Sequence, residues 1–227
     1  MNVADVAALA ITYLVASISF PQVLARAHGV DLHRVGTRNL GGGNLTREVG
    51  PVAGITGGLL DSLKPPVAIL VARVAGLDPL AQTLCGVAAV AAQQWPIWHG
   101  FDGGRGNAPA MALLIVLSLR AAVLVAPVAL AGILWGVWLR ARLRRRVFSR
   151  GTPLGLLLAL LLYPVAARAV GEDGNVVLAG ALTAILVVAR RLTAGIREDL
   201  AASEDPARTL ANRLLFDRTE IQRRALS

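Results

Sequence analysis

Apolar blocks, most of about 15 to 20 residues, run the length of this chain, matching the roughly 30 Å of hydrocarbon that a helix must cross at 1.5 Å per residue. They occupy residues 6–24, 52–74, 80–98, 108–119, 121–139, 153–170 and 176–189. The fourth is short, the length of a half-span or a tilted helix. A water-soluble fold would need a charged surface, yet only 16% of the 227 residues are charged against 55% hydrophobic. The fold class is therefore all-α: a polytopic membrane protein of about seven transmembrane helices. Residues 1–190 read as an integral membrane helical domain with glycine-rich cytoplasmic loops, and 191–227 as a cytoplasmic amphipathic tail.

Charge sets the expected orientation. An outside N-terminus puts residues 25–50, 99–107, 140–152 and the tail from 190 in the cytoplasm, and these hold 19 of the 23 basic residues. Arg73, Arg120 and Arg168 fall outside and Lys64 falls within a span. That asymmetry is the positive-inside pattern, and with an odd number of spans it gives N-out, C-in. The first block lacks a basic segment ahead of it, which predicts a retained span rather than a cleaved signal. The run Arg140, Arg142, Arg144, Arg145, Arg146 and Arg150 needs no role beyond fixing topology.

A net charge of +9 admits anionic partners, but arginines interrupting apolar blocks, with 4% aromatic residues, exclude nucleic acid as the expected one. Cys85 is the only cysteine, so no intrachain disulfide can form. His28, His33 and His99 lack ligand spacing, and no metal site or cofactor is expected.

Two loops carry the chemistry. The first reads Gly36-Thr37-Arg38-Asn39-Leu40-Gly41-Gly42-Gly43-Asn44, then Arg47. Glycine-rich backbone turns its N–H groups toward an anion, Thr37, Asn39 and Asn44 add polar side chains, and Arg47 adds a fork suited to phosphate. The alternative is a turn that only reconnects two spans. The second loop places Gly103, Gly104 and Gly106 around Arg105 just before a helix, a phosphate cradle at a helix N-terminus. Its alternative is an interfacial turn anchored by Trp95 and Trp98. Asp61 and Lys64 share a helical face inside the second span, either as functional charges or as a mutually neutralising pair. In the tail, Asp205 and Pro206 open a helix carrying Leu210, Leu214, Leu215 and Ile221 among arginines. It reads as a surface helix on the bilayer or as a partner-binding one.

In this order, the loops resemble those of the bacterial acyl-phosphate:glycerol-3-phosphate acyltransferases, the PlsY family. A small-Ser-Ile run appears as Ala16-Ser17-Ile18. The signature Gly-Ser-Gly-Asn-Ile-Gly-Ala-Thr-Asn, with an arginine three residues on, appears as Gly36 to Asn44 plus Arg47. The Asp-x-Leu-Lys run is Asp61-Ser62-Leu63-Lys64. Phe-Pro-Ile-Phe and Phe-Lys-Gly-Gly-Lys-Gly appear as Trp95-Pro96-Ile97-Trp98 and Phe101-Asp102-Gly103-Gly104-Arg105-Gly106. There are departures. Thr37 stands for a serine, Arg105 and Asp102 for lysines, and Gln93 for a histidine. A serine-rich signature is matched loosely by Ser149 and Thr152, and His-Arg-x-Asn-Ile becomes Arg190-Arg191-Leu192-Thr193.

The resemblance implies acyl transfer from acyl phosphate to glycerol 3-phosphate at the cell inner membrane, giving lysophosphatidic acid for phospholipid synthesis. It implies catalytic roles for Thr37, Arg47 and Arg105. Substrate contacts fall to Asn39, Asn44, Gly41, Gly103, Gly104, Gly106, Lys64, Ser149, Thr152 and Arg190. The partners implied are the two substrates and membrane lipid. Such a site requires the cations of both loops, Arg47 and Arg105, to share one chamber. Two other classes stay open: a non-catalytic lipid-phosphate binder on the same scaffold, which the lost histidine favours, and a transporter.

Overall fold

A computed structural model describes residues 1–143, 151–201, 203 and 205–217 of the chain. Ser149, Ile221 and the arginines Arg144, Arg145, Arg146 and Arg150 lie outside the described residues. The side chain of Thr152, in the first turn of its helix, is likewise not described.

The fold is all-helical among the described residues. In chain order the helices are α1 (Val3–Ala16), α2 (Phe20–Ala27), α3 (Gly42–Glu48), α4 (Pro51–Val74), α5 (Pro79–Gln94) and α6 (Asn107–Leu117). They continue with α7 (Leu119–Leu143), α8 (Gly151–Ala169), α9 (Gly174–Thr193), α10 (Ile196–Ala201) and α11 (Pro206–Phe216). A helix occupies each of the seven predicted blocks. Four stretches are long and apolar enough to cross a membrane: Val3–Ala27, Pro51–Val74, Leu119–Trp138 and Gly174–Thr193. The others, α5, α6 and α8, are shorter or less apolar.

The first predicted span is not one continuous helix. It breaks at the Ala16-Ser17-Ile18 run, because Ser17 and Ser19 cap the two halves with their hydroxyls. Ser17 Oγ donates to the Tyr13 carbonyl at 2.8 Å, and Ser19 Oγ accepts from Gln22 N at 3.4 Å. A break exposes carbonyls, and Lys64 meets them: its ammonium donates to Ala16 O at 3.1 Å and to Ile18 O, and pairs with Asp61 at 2.6 Å. Asp61 in turn accepts from Phe20 N at 3.2 Å. The charged pair on α4 thus staples the broken helix, a cation at a helix C-terminus and a carboxylate at the next N-terminus.

The core lies among α4 to α9, where Ile69, Val90, Leu113, Leu114, Leu160 and Val187 are buried together. Tyr163 joins them and satisfies its hydroxyl on Leu114 O at 2.8 Å. Close backbone approach fixes α3 on α4: a Cβ added at Gly54 would sit 1.9 Å from Thr46 Oγ1. Most exposed large side chains are apolar, among them Leu59, Leu70, Val123, Leu134 and Val165, as a lipid-facing surface requires.

Polar groups gather at the two ends of the bundle. At one end Asp5 closes a capping box with Asn2 and accepts from Asp78 N at 3.1 Å, tying α1 to α5. There too the α6–α7 junction is fixed by Ser118, whose hydroxyl donates to Glu172 at 2.8 Å. That bond, with Arg120 beside it, holds the Glu172 carboxyl below its usual range. The opposite end holds the two glycine loops, the C-terminal end of α9, and helices α10 and α11.

Candidate functional site

Loop one is folded by two buried amides. Asn44 accepts from Thr37 N at 3.0 Å and donates to Val35 O at 3.2 Å and Leu32 O at 3.4 Å. Gln22 receives Leu32 N at 3.0 Å and donates to Asp31 at 2.7 Å, which with His33 N holds the Asp31 carboxyl below its usual range. Gly36 takes a left-handed φ of 56°, and a Cβ there would meet Asn44 Oδ1 at 2.4 Å. Asn44 was expected to touch substrate; the structure commits both ends of its amide to the loop instead. What the folded loop presents is Thr37, Arg38 and Asn39, with Gly41 as the cap residue of α3.

The second loop lies on α5. Gly104 N donates to Gln93 O at 3.0 Å, and a Cβ at Gly103 would approach that same carbonyl to 2.4 Å. At Gly104 a Cβ would reach Gln93 Nε2 at 1.9 Å. Gly106 has φ 74° and faces Gln94, whose amide donates to Arg105 O at 3.2 Å. These glycines are required by contact with α5 whatever the loop binds. Trp98 is exposed and donates to Leu14 O at 2.8 Å, consistent with an interfacial anchor.

Arg190, near the C-terminal end of α9, holds this loop from the other side. Its Nε donates to Gly104 O at 3.1 Å, and its Nη2 to Gly103 O at 2.8 Å and Asp102 Oδ1 at 2.6 Å. Three acceptors on consecutive residues lock one guanidinium plane, which also lies 5.8 Å from the Trp95 ring. The next residue, Arg191, is fully buried on neutral acceptors: Leu214 O and Pro153 O at 3.0 Å and Asn107 Oδ1 at 3.4 Å.

Between the loops and α10 is a cavity of about 200 Å³ whose lining includes Thr37, Arg38, Asn39, Gly103, Arg105 and Arg190. Thr37, Asn39, Gly103, Arg105 and Arg190, all singled out from sequence, therefore meet. Arg47 and Arg105 were expected to share one chamber, and they do not: Arg47 is exposed on α3 and does not line this cavity, where the loop-one guanidinium on the wall is Arg38. Lys64 does not line it either. It borders a separate apolar groove of about 480 Å³ between α1 and α4.

Sequence reasoning missed His33, Glu198 and Asp199 on the cavity wall, because they come from distant segments. His33 and His99 rings are 5.7 Å apart, and His33 Nδ1 is 4.0 Å from Asp102. Burial, with His33 and nearby cations, pushes His99 below its ordinary value, so it is neutral at pH 7.

Arginines and carboxylates pair around the cavity. Four carboxylates each have an arginine: Asp102 with Arg190, Glu198 with Arg38, Asp199 with Arg213, and Asp217 with Arg105. Among the described residues Arg191 donates to the neutral acceptors named above. Arg105 Nη1 and Arg191 Nε are buried with no hydrogen-bond partner among the described residues, and so is Asn39 Oδ1. A buried donor without an acceptor is costly, and a bound anion at Arg105 would supply one.

The glycerol-3-phosphate acyltransferase family model matches residues 6–198. The chain belongs to this family. It is 34% identical over 171 residues to the glycerol-3-phosphate acyltransferase of Aquifex aeolicus, covering 75% of this chain and 84% of that one. It is 30% identical over 203 residues to that of Halalkalibacterium halodurans, covering 86% and 94%. Its fold is similar to crystal structures of PlsY, an integral membrane glycerol 3-phosphate acyltransferase. The TM-score is 0.66 and identity 27% for the glycerol 3-phosphate form, over 89% of this chain and 94% of that one. The lysophosphatidic acid form matches with a TM-score of 0.65.

Asp102 and Arg190, two positions at which the sequence departs from the signature it resembles, bond to each other here. Arg190→Ala removes that bond and leaves the Gly103 and Gly104 carbonyls unmet. It is expected to destabilise the protein by about 2–3 kcal/mol and to speed proteolysis at the 100–106 loop. Unchanged thermal unfolding and unchanged cleavage there would contradict the anchoring role.

Proposed function

We propose that this chain transfers an acyl group from acyl phosphate to the sn-1 hydroxyl of glycerol 3-phosphate, giving lysophosphatidic acid and inorganic phosphate. The acceptor oxygen forms an ester bond to the acyl carbon while the bond from that carbon to the phosphate oxygen breaks. The hydroxyl proton leaves with the phosphate. A mixed anhydride is already activated, so positioning and charge neutralisation supply most of the acceleration.

The single observation that carries this reading is the buried Arg105 Nη1, without a hydrogen-bond partner among the described residues, on a cavity wall shared by both glycine loops. We assign the donor phosphate to Arg105 and the backbone of Gly103, Gly104 and Gly106. Thr37 and Asn39 orient the acceptor hydroxyl. Arg47, exposed on α3, is assigned to the soluble acceptor's phosphate on its match to the family signature. Asn44 and Arg190 support the two loops, and Lys64 the α1 break. The apolar groove between α1 and α4 offers a trough for a fatty chain. Ser149 and Thr152 remain candidates through the family pattern alone.

The site's position relative to the bilayer follows the same reading: seven crossings of the cell inner membrane, with loops and tail on the cytoplasmic side. Cys85 is buried, which gives a quiet background for thiol labelling. In intact cells, Asp173→Cys is expected to react with an impermeant maleimide and Arg208→Cys only after lysis. The reverse pattern would invert the topology.

Arg105→Ala and Arg47→Ala are each expected to cut transfer on the order of 10²-fold or more in protein that still folds. Phosphate release and lysophosphatidic acid formation, measured with purified protein in lipid, are the readouts. Normal turnover in a well-folded Arg105→Ala would remove the phosphate assignment, and normal turnover in Arg47→Ala would move the acceptor role to Arg38.

A further inference from the structure

Helix α11 lies beyond the family-matched residues 6–198, yet it packs on α8 and α9 and ends against Arg105. Its start is fixed by Asp205, whose carboxylate accepts from Arg208 N at 3.0 Å, as the sequence predicted. The face it turns inward is polar: Thr209 and Arg213 are buried, whereas Leu210 and Leu215 are exposed. Arg213 donates to Asp199 and to the Ala194 carbonyl at the end of α9, and Leu214 O receives Arg191 at 3.0 Å. These bonds dock the helix against α8 and α9. It ends in a left-handed residue, Asp217, with φ 50°.

That turn puts the Asp217 carboxylate beside the second loop. One oxygen, which makes no hydrogen bond among the described residues, pairs by charge with Arg105 Nε at 3.4 Å, and the other accepts from Asn107 Nδ2 at 3.4 Å. Both side chains of the ion pair are nearly buried, at 12% and 11% exposure. The contact takes the Nε edge of the guanidinium. Nη1, buried and unpartnered among the described residues, stays available to a phosphate oxygen.

The identity of residue 105 makes this consequential. The family signature has a lysine there, whose compact ammonium presents donors in any rotation. An arginine is a planar fork that works only when its plane is fixed. The geometry points to Asp217 as a positioning residue for Arg105: helix α11 supplies the charge that holds the plane of this arginine as the donor-phosphate ligand. This rests on the acyl-transfer reading for the reaction, but not for the binding of a phosphate group.

The test is a double-mutant cycle on full-length protein in lipid, using D217N, R105K and R105K/D217N. Binding of dodecylphosphonate serves as one readout and acyl-phosphate turnover as the other. D217N is expected to weaken phosphonate binding and lower kcat/KM on the order of tenfold, with an unchanged unfolding temperature. In the R105K background the same substitution is expected to change either by under about twofold. Equal losses in both backgrounds would reduce Asp217 to a structural contact. No loss, or a gain, from D217N in the arginine background would overturn the proposal outright. A wild-type protein that binds the phosphonate but does not turn over acyl phosphate would refute the reaction and leave the tether to be judged on binding alone.

Discussion

A buried guanidinium must find acceptors for its donors or the fold loses several kcal/mol. At Arg190 it finds them on three consecutive residues, Asp102, Gly103 and Gly104. The second glycine loop is fixed mostly through its backbone. Its shape is imposed from one side by Gln93 and Gln94 on α5 and from the other by Arg190 on α9. Everything proposed for the site depends on that clamp, because Arg105 sits inside it and the cavity wall is its outer surface.

The same economy recurs at the first loop. Buried amides of Gln22 and Asn44 take up backbone groups that a glycine-rich loop cannot satisfy by itself. Flexible sequence is thereby held rigid without occupying the cavity. The two loops are then free to offer side chains from fixed positions: Thr37, Arg38 and Asn39 from one, Arg105 from the other. Preorganised donors of this kind need no rearrangement when a phosphate arrives.

Much of this was legible in sequence. Apolar block length placed a helix at each of seven segments, and glycine clusters beside cations marked both loops. What sequence could not show was which polar side chain points inward. Asn39 and Asn44 have the same chemistry and lie five residues apart, but one lines the cavity and the other is a staple. Lys64 was open between functional charge and neutralised pair, and its part in bridging the break after Ala16 depends on a contact 48 residues away. The sequence singled out Arg47 and not Arg38, and it is the turn at Arg38, with φ 54°, that sets this arginine on the cavity wall. The tail helix was read from its leucines, and its structural content proved to be Arg213 and Asp217. Sequence periodicity reports apolar faces well, and a buried arginine reads in it as a solvated one.

The Arg105 donor on the cavity wall is what connects this architecture to the proposed chemistry, and reaction stoichiometry tests the connection most directly. Purified protein in lipid would receive a defined acyl phosphate with and without glycerol 3-phosphate. The account predicts phosphate release that requires the acceptor, with lysophosphatidic acid formed in equal amount. Phosphate released at the same rate without acceptor, or no release under conditions where the protein is folded, would contradict it.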